Sequence, residues 1–209
     1  MKLLAIDPGC EKSAWVVMDS DTYRPVAFGK EDNGALLARI AGTPADSAVI
    51  EMVASYGMAV GREVFETCLW IGRFIEALAR VGLLPEQVYR RDEKLAICGD
   101  SRAKDANIRR ALIDRFAGHD RKNGKGTKSR PDWFYGFHAD VWQAYAVGVT
   151  WIDRQWGPHE NTGFRGERTS GEADGCRRAA GGVERSTRGR GQAYAVGVTW
   201  LDKRQEAER

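Results

Sequence analysis

The N-terminal segment LLAIDPG, residues 3–9, places the strongest constraint on the fold. Four apolar residues form a short run typical of a buried strand, and the run ends at Asp7, directly before a Pro-Gly turn. Two further strand-like runs, residues 14–19 and 25–29, follow after the turn signals DPG and DSD. Three strands separated by such short turns predict an antiparallel meander at the start of the domain.

The pattern then changes to alternating helices and strands. Residues 34–40 carry apolar side chains at helical spacing, and residues 47–53 (SAVIEMV) return to a short, β-branched run. The helix predicted over residues 61–80 has apolar side chains on more than one stripe, so we expect it to contact the sheet and a second surface, a dimer partner being one candidate. The remaining predicted elements are a strand over residues 87–91 and helices over residues 104–116 and 140–151.

A repeated sequence divides the C-terminal part of the chain. QAYAVGVTWID, residues 143–153, returns almost unchanged as QAYAVGVTWLD, residues 192–202. The second copy lacks the preceding HADVW, so we expect the first copy to occupy the core and the second to form a loose helix or pack outside. The intervening segment is rich in Gly and Arg and predicts disorder. The expected organisation is a domain over residues 1–155, a disordered linker over 156–191 and the duplicated segment over 192–209.

Composition excludes several classes of protein. The 209-residue chain is 43% hydrophobic, enough to bury a full core. It contains no apolar segment of membrane-spanning length, and its N-terminus is too short and too acidic for a signal peptide, so we expect a soluble, cytoplasmic protein. The four cysteines have no C-x-x-C spacing, so neither a zinc site nor a disulfide framework is indicated. The net charge of +3 is too small to indicate nucleic-acid binding by itself.

Three acids stand out by their positions. Asp7 ends the first strand, Glu51 lies within SAVIEMV, and Asp140 opens the last helix. Two carboxylates about 4 Å apart repel by roughly 4 kcal/mol at an effective dielectric constant near 20, and a divalent metal removes that cost. Two such ions can activate a water and stabilise the leaving oxygen of a phosphodiester. Each acid also has a structural interpretation, respectively a turn, a salt bridge and a favourable helix dipole.

The order of these motifs resembles a known family. AIDPG, VIEMV and HADVWQAYAVGVTW, with VYRRDEKLAICGDSRAKDANIRRAL before the last, resemble the RuvC-type Holliday junction resolvases of the RNase H-like nucleases. ASYGMAVGREVFETCLWIGRF and DVW resemble the phage-encoded branch. The similarity covers about residues 1–155. It implies an α/β, RNase H-like fold with a mixed five-stranded sheet flanked by helices, and a homodimer that cuts branched DNA symmetrically during recombination or repair.

The resemblance also implies a ligand set. Asp7, Glu51 and Asp140 would be the catalytic acids and would bind Mg²⁺, with Mn²⁺ as a substitute and two ions per site. The bacterial pattern has a further acid where this chain has Gln143, whose amide oxygen can coordinate an ion but supplies no charge. His138 is a candidate ligand or proton shuttle, its alternative being a structural role.

DNA binding requires cations close to these acids. The basic segment over residues 118–132 is expected to be a flexible loop that follows phosphates, the alternative being a merely solvated loop. A second set lies in the segment that resembles the resolvases' DNA-contacting region, and Tyr56 either stacks on unpaired bases or belongs to the core. The candidates are Lys94, Arg102, Lys104, Lys122, Lys125, Lys128, Arg130 and Tyr56.

The sequence therefore indicates a magnesium-dependent endodeoxyribonuclease that hydrolyses phosphodiesters in four-way or other branched DNA. Two alternatives stay open. A junction-binding protein that does not cleave is consistent with Gln143 and with the altered C-terminus. An actin-like sugar kinase or ATPase also begins with a strand, an acid and a glycine turn, but it needs two such domains, and this chain is too short for both.

Overall fold

The computed structural model describes residues 1–57, 59–138 and 140–157. Five strands form one sheet in the order β3-β2-β1-β4-β5. Strand β2 is antiparallel to both of its neighbours, β1 and β3, whereas β4 and β5 are parallel to β1. This confirms the predicted meander and the mixed five-stranded sheet flanked by helices. The elements are β1 (Lys2–Asp7), β2 (Lys12–Asp19), β3 (Pro25–Asp32), α1 (Asn33–Ile40), β4 (Ser47–Met52), α2 (Arg62–Arg80), β5 (Glu86–Tyr89), α3 (Arg90–Cys98), α4 (Asp105–Phe116) and α5 (Val141–Trp156).

Helices cover both faces of the sheet. Because side chains alternate along a strand, Leu4 and Ile6 of β1 face one side, where they join the apolar side chains of α1 and α2. Leu3 and Ala5 face the other side, where they join those of α4 and α5. The central strands are therefore buried on both faces, which explains why they read as continuous apolar runs.

Helix α5 is the central element of the second layer. Gly148 lets its backbone approach the sheet closely, since a Cβ at this position would lie 3.2 Å from that of Ala5. The first copy of the repeated sequence thus occupies the core. The expected linker and second copy lie outside the described residues, except for Trp156 and Gly157.

A partly buried ion pair fixes the C-terminal half of α5. The two Asp153 oxygens accept hydrogen bonds from the Arg115 guanidinium of α4 at 2.6 and 2.8 Å, and one also accepts from the Tyr23 hydroxyl at 2.8 Å. The Asp153 side chain is only 11% exposed. This bidentate pair ties α5 to α4 and to the turn between β2 and β3.

The predicted end of strand β5 is wrong, and α5 extends to Trp156, beyond the predicted end at residue 151. The strand expected over residues 87–91 ends at Tyr89, and Arg90 begins helix α3. Asp92 and Glu93 occupy the first turn of α3, where acids interact favourably with the helix dipole, and Gly99 ends the helix in the left-handed conformation at φ 69°. The acids of the first turn favour a helix start at Arg90, where the local strand pattern predicted two further strand residues.

Helix α2 keeps an apolar face in contact with solvent. Ile71, Phe74 and Leu78 pack against the sheet, whereas Phe65 and Leu69 are 60% and 68% exposed. The second surface predicted for this helix therefore exists, while the homodimer stays a prediction. In the part of the chain that is described, no helix combines the length and the apolar character needed to cross a membrane.

Candidate metal site and nucleic-acid interface

Two adjacent parallel strands bring two of the three candidate acids, Asp7 and Glu51, to one edge of the sheet. Ile6 of β1 pairs with Ile50 of β4, so that Asp7 and Glu51 each come one residue later in adjacent strands. Glu51 in turn pairs with Val88 of β5. The carboxyl ends of parallel strands meet at the same edge, which explains why acids 44 positions apart in the chain become neighbours.

Asp7 and Glu51 are close enough for the Glu51 charge to act on Asp7. Burial and the adjacent Glu51 carboxylate, which lies within hydrogen-bonding reach, raise the pKa of Asp7 well above its usual range. The charge of Glu93 raises it further, while Arg90 acts in the opposite direction. A bound cation would stabilise both ionised carboxylates at once, and the pair is in this respect a fitting site for a divalent metal.

Two charged residues of α3 complete the cluster, and sequence reasoning did not select them. Arg90 Nη1 lies 2.9 Å from Glu93 Oε2 and 4.0 Å from Glu51 Oε2, while its Nη2 donates to Asp105 Oδ1 at 2.6 Å. Burial and the Glu51 charge raise the pKa of the fully buried Glu93. Burial lowers the pKa of the Arg90 guanidinium, but the carboxylates of Glu93 and Glu51 outweigh it and hold the group charged. Arg90 is therefore the counter-ion of this acidic cluster.

The third predicted acid lies at the start of α5. Asp140 precedes Val141, is 46% exposed, and forms an ion pair with Lys30 of β3. Gln143 is half-buried and lies one turn after Asp140, on the same side of α5. His138 is exposed and lies two residues before Asp140. The structure thus supports Asp7 and Glu51 as direct neighbours, and it gives Asp140 a cationic partner of its own.

Within residues 1–57, 59–138 and 140–157, no three Asp, Glu, His or Cys side chains are arranged as a ready-made metal site. Two of the three predicted ligands have cationic partners instead, since Glu51 lies 4.0 Å from Arg90 and Asp140 forms an ion pair with Lys30. The donor set nevertheless fits a hard divalent cation, because it consists of carboxylate oxygens, and one of them, Glu93 Oε1, is buried without a hydrogen-bond partner among the described residues.

A partly apolar cleft of about 240 Å³ adjoins this cluster. Glu51 and Arg90 form one wall, while Tyr56, Val60 and Val64 contribute to the rest. Tyr56 is 53% exposed and has a left-handed backbone at φ 46°, so it belongs to a surface turn. The alternative prediction that Tyr56 is a core residue is therefore wrong.

Hydrogen bonds hold the basic loop in a defined shape. Asp132 is 6% exposed and accepts from the backbone N–H groups of Gly118, His119, Asp120 and Trp133. Burial alone would raise the pKa of Asp132, but these four donors outweigh it and hold the pKa well below its usual range. Asp120 likewise accepts from four backbone N–H groups between Lys122 and Gly126. The loop therefore has internal order, which the expectation of a flexible segment did not include.

The candidate DNA-contacting cations differ in exposure. Lys122, Lys128 and Arg130 are exposed on the ordered loop, and Lys125 is half-buried. In the second set, Arg102 and Lys104 are exposed before α4, whereas Lys94 on α3 is half-buried. Their arrangement is compatible with phosphate binding, and their role in DNA binding stays a prediction.

Aromatic packing connects the ordered loop to α5. Phe134 and Phe137 contact Trp142 with ring centroids 4.5 and 5.3 Å apart, and the Trp133 indole donates to the buried Tyr145 hydroxyl at 3.1 Å. Residues 133–137 are thus fixed against the helix that Asp140 precedes. The basic loop and the third acid consequently share one rigid support.

The fold of this chain is similar to that of proteins with solved structures. No protein-family profile matches the sequence, and no curated protein matches it. The structure of Thermus thermophilus RuvC superposes with a TM-score of 0.56 at 14% identity, covering 75% of this chain and 97% of that chain. T. thermophilus RuvC in complex with a Holliday junction substrate gives a TM-score of 0.55 at 14% identity, with coverage of 75% and 96%. The narrower expectation of a phage-encoded branch stays a prediction. The chain has the RuvC fold, as expected from its sequence.

Proposed function

We propose that this protein is a metal-dependent endodeoxyribonuclease that cuts four-way or other branched DNA. The observation that carries the proposal is the adjacency of Asp7 and Glu51 at the ends of β1 and β4. The RuvC fold supports it, since one of the similar structures holds a Holliday junction substrate. A coupled carboxylate pair on that fold is suited to metal-assisted phosphodiester hydrolysis.

In this proposal, Asp7, Glu51 and Asp140 would hold two Mg²⁺ or Mn²⁺ ions, with Gln143 and His138 as additional ligands. When bound, the metal would lower the pKa of an attacking water and offset charge on the leaving oxygen. Asp7 and Glu51 would supply half-buried carboxylate oxygens from adjacent strands. Asp140 is more exposed and must exchange its contact with Lys30 for the metal.

Branched DNA would contact the surfaces around this cluster. The cations of the ordered loop and those before α4 would neutralise phosphates, making binding dependent on salt concentration. Tyr56 lies beside Glu51 on a surface turn, where its ring is available for stacking on an unpaired base. These contacts recognise shape and backbone more than base sequence.

Symmetric cleavage of a four-way junction requires two active sites related by a twofold axis. The exposed Phe65 and Leu69 on α2 offer an apolar surface for an isologous dimer. Each protomer in that arrangement contributes one acidic cluster. The distance between the two clusters would then select the branched substrate.

A second candidate function is junction binding without cleavage. Two observations favour it: Gln143 lacks the charge of an acid, and the structure pairs Asp140 and Glu51 with Lys30 and Arg90. In that case the cations would neutralise the acidic cluster permanently. The two candidate functions differ in whether the protein cuts branched DNA when magnesium is present.

The test uses labelled four-way, Y-shaped and linear DNA incubated with the protein, in Mg²⁺ or in EDTA. We expect the branched substrates to be cut only with Mg²⁺ and the linear duplex to stay intact. Four-way DNA that is bound but uncut in both Mg²⁺ and Mn²⁺ would establish the second candidate instead. Equal cutting of linear and branched DNA would contradict structure specificity.

The ordered loop provides a separate prediction. We expect Asp132→Ala to lower the free energy of unfolding by about 2–3 kcal/mol, because its carboxylate accepts four backbone hydrogen bonds. Affinity for junction DNA should fall by about tenfold, since the disordered loop must be ordered again on binding. Urea denaturation and fluorescence anisotropy measure the two effects.

The matched control is Asp21→Ala, which changes the net charge equally at an exposed position. We expect it to leave both stability and junction affinity nearly unchanged. Loss of stability in Asp132→Ala without loss of DNA affinity would show that the loop does not contact DNA.

A further inference from the structure

Lys30 of β3 lies in the same row of the sheet as Asp7. Asp7 of β1 pairs with Ala14 of β2, and Ala14 pairs with Lys30 of β3. Because neighbouring strands are about 4.8 Å apart, the backbones of Asp7 and Lys30 lie roughly 10 Å apart. A lysine carries its ammonium group on a flexible four-carbon stem, so this group can reach a ligand that is bound beside Asp7.

The charged side chains of this row share one face of the sheet. Directly paired residues of antiparallel strands point to the same side, and side chains alternate along each strand. Lys30, Asp7 and Glu51 each lie two positions after a residue that packs in the layer of α4 and α5. Those three residues are Phe28, Ala5 and Val49. Lys30 and both acids therefore face the layer that contains α5, the helix that Asp140 precedes.

The ion pair of Lys30 with Asp140 is not needed to hold α5 in place. Phe28 contacts Phe137 with ring centroids 4.6 Å apart, and Phe137 contacts Trp142 at 5.3 Å. This aromatic packing already ties β3 to the start of α5. The side chains of Lys30 and Asp140 are 31% and 46% exposed, and ion pairs of that exposure contribute little to stability. A structural tie therefore explains little about a lysine at this position.

The two cations beside the candidate acids differ in how firmly they are held. Arg90 has two close carboxylate partners, Glu93 at 2.9 Å and Asp105 at 2.6 Å, which keep it in place. Asp140 is the carboxylate that the described residues place against Lys30. When Asp140 turns to another ligand, Lys30 becomes a free ammonium group at the acidic edge. Such a group has three donors and binds phosphate as a point charge.

We propose that Lys30 is a catalytic residue that contacts a non-bridging oxygen of the phosphate to be cut, once Asp140 has exchanged it for the metal. This inference rests on the proposed function, and it assigns Lys30 to the DNA and not to the metal. Attack on the phosphate places additional negative charge on its non-bridging oxygens, and a positioned ammonium group stabilises that charge. Lys30 keeps its proton throughout and forms no covalent bond.

The first test measures the contact with DNA in EDTA, without metal and without catalysis. Asp140→Asn removes the partner of Lys30 and so imitates the exchange. We expect this variant to bind a labelled four-way junction about tenfold more tightly than the unaltered protein, the effect of one hydrogen bond to a charged group. Lys30→Met added to Asp140→Asn should abolish the gain. It should also lower the slope of log affinity against log salt concentration by about one unit, because one phosphate contact is lost.

Lys2→Met in the Asp140→Asn background is the matched control. Lys2 is exposed at the opposite end of β1 from Asp7, so the control removes the same charge far from the acidic edge. Screening limits the reach of an exposed charge to about 8 Å at physiological ionic strength. We therefore expect Lys2→Met to leave both the gain in affinity and the salt dependence unchanged.

The second test measures cleavage in Mg²⁺ with the protein in excess over the junction. Lys30→Met should lower the cleavage rate of the bound junction about a hundredfold, the effect of losing one donor to a developing charge. Lys30→Arg keeps the charge and should retain about a tenth of the rate or more. Both variants should melt close to the temperature of the unaltered protein, since the ion pair is exposed. If Lys30→Met does not fold, Lys30→Gln replaces it in both tests.

Either of two results would overturn the inference. No gain of affinity in Asp140→Asn, or a gain that Lys30→Met does not remove, would show that the ammonium group does not reach a phosphate. A cleavage rate of Lys30→Met that falls only as far as its thermal stability falls would mark a structural role. If the unaltered protein still cuts branched DNA in Mg²⁺, the proposed function stands without Lys30. If the unaltered protein neither binds nor cuts branched DNA, the proposed function itself fails.

Discussion

Asp7→Asn is expected to abolish cleavage of branched DNA while leaving junction binding intact. Asparagine keeps the shape of the side chain but removes the charge that a divalent ion requires. Loss of about 4 kcal/mol of charge stabilisation in the transition state corresponds to a rate about a thousand-fold lower. Single-turnover cleavage of a labelled four-way junction measures the rate, and anisotropy measures binding.

The same substitution should not destabilise the protein in EDTA. Asp7 is half-buried beside Glu51, and the neutral amide removes both the desolvation cost and the repulsion between the two acids. Thermal unfolding of the variant is thus an internal control for folding. A variant that unfolds more easily and also loses junction binding would assign Asp7 a structural role. Cleavage at the unaltered rate would exclude Asp7 from the metal site.

Asp153→Ala is expected to produce the largest loss of stability, about 3–5 kcal/mol, by leaving the Arg115 guanidinium as an uncompensated, partly buried charge. The Tyr23 hydroxyl loses the same acceptor. Urea denaturation monitored by tryptophan fluorescence measures the change in the free energy of unfolding.

The control is Asp114→Ala, which removes an exposed partner of Arg110 on the same helix as Arg115. Exposed pairs contribute about 0–1 kcal/mol, so its loss should be small. Equal losses in the two variants would show that the Asp153 pair contributes no more than a surface pair.

The elements that could be predicted are those fixed by local pattern. β1 and β2 carry the apolar runs LLAI and AWVVM, each ending at an Asp, and β4 carries the shorter run AVI before Glu51; such runs are typical of central strands. The adjacency of Asp7 and Glu51 follows from parallel strand order, which a resemblance to a known fold supplies and local sequence does not. Their pairing could therefore be expected from the sequence once that fold was recognised.

The contribution of α3 could not be expected in the same way. The run RRDEK has the composition of a solvent-exposed helical face, and nothing in its pattern separates the buried Glu93 from its exposed or half-buried charged neighbours. Glu93 is buried because α3 begins at Arg90, directly after β5 ends at Tyr89, so that the first turn of the helix lies close to the sheet. The spacing of Arg90 and Glu93, three residues apart directly after a strand, is the signal that was present.

The order of the basic loop was also hidden in the sequence. Gly and Lys between residues 118 and 132 favour a flexible segment by composition. Asp120 and Asp132 override that tendency, because a carboxylate surrounded by backbone N–H groups fixes a turn. Such turns depend on partners up to 14 residues away, as for Gly118 and Asp132, and no local pattern reveals them.

The ion pairs of Lys30 with Asp140 and of Arg90 with Glu51 have a thermodynamic consequence for cofactor loading. Uptake of a divalent ion becomes an exchange reaction, in which the incoming charge must displace an internal ammonium or guanidinium group before it gains its ligands. The net driving force is then smaller than the number of carboxylates suggests. Occupancy would follow the concentration of free magnesium around the protein, and the acidic edge of the sheet would stay neutralised whenever that concentration is low.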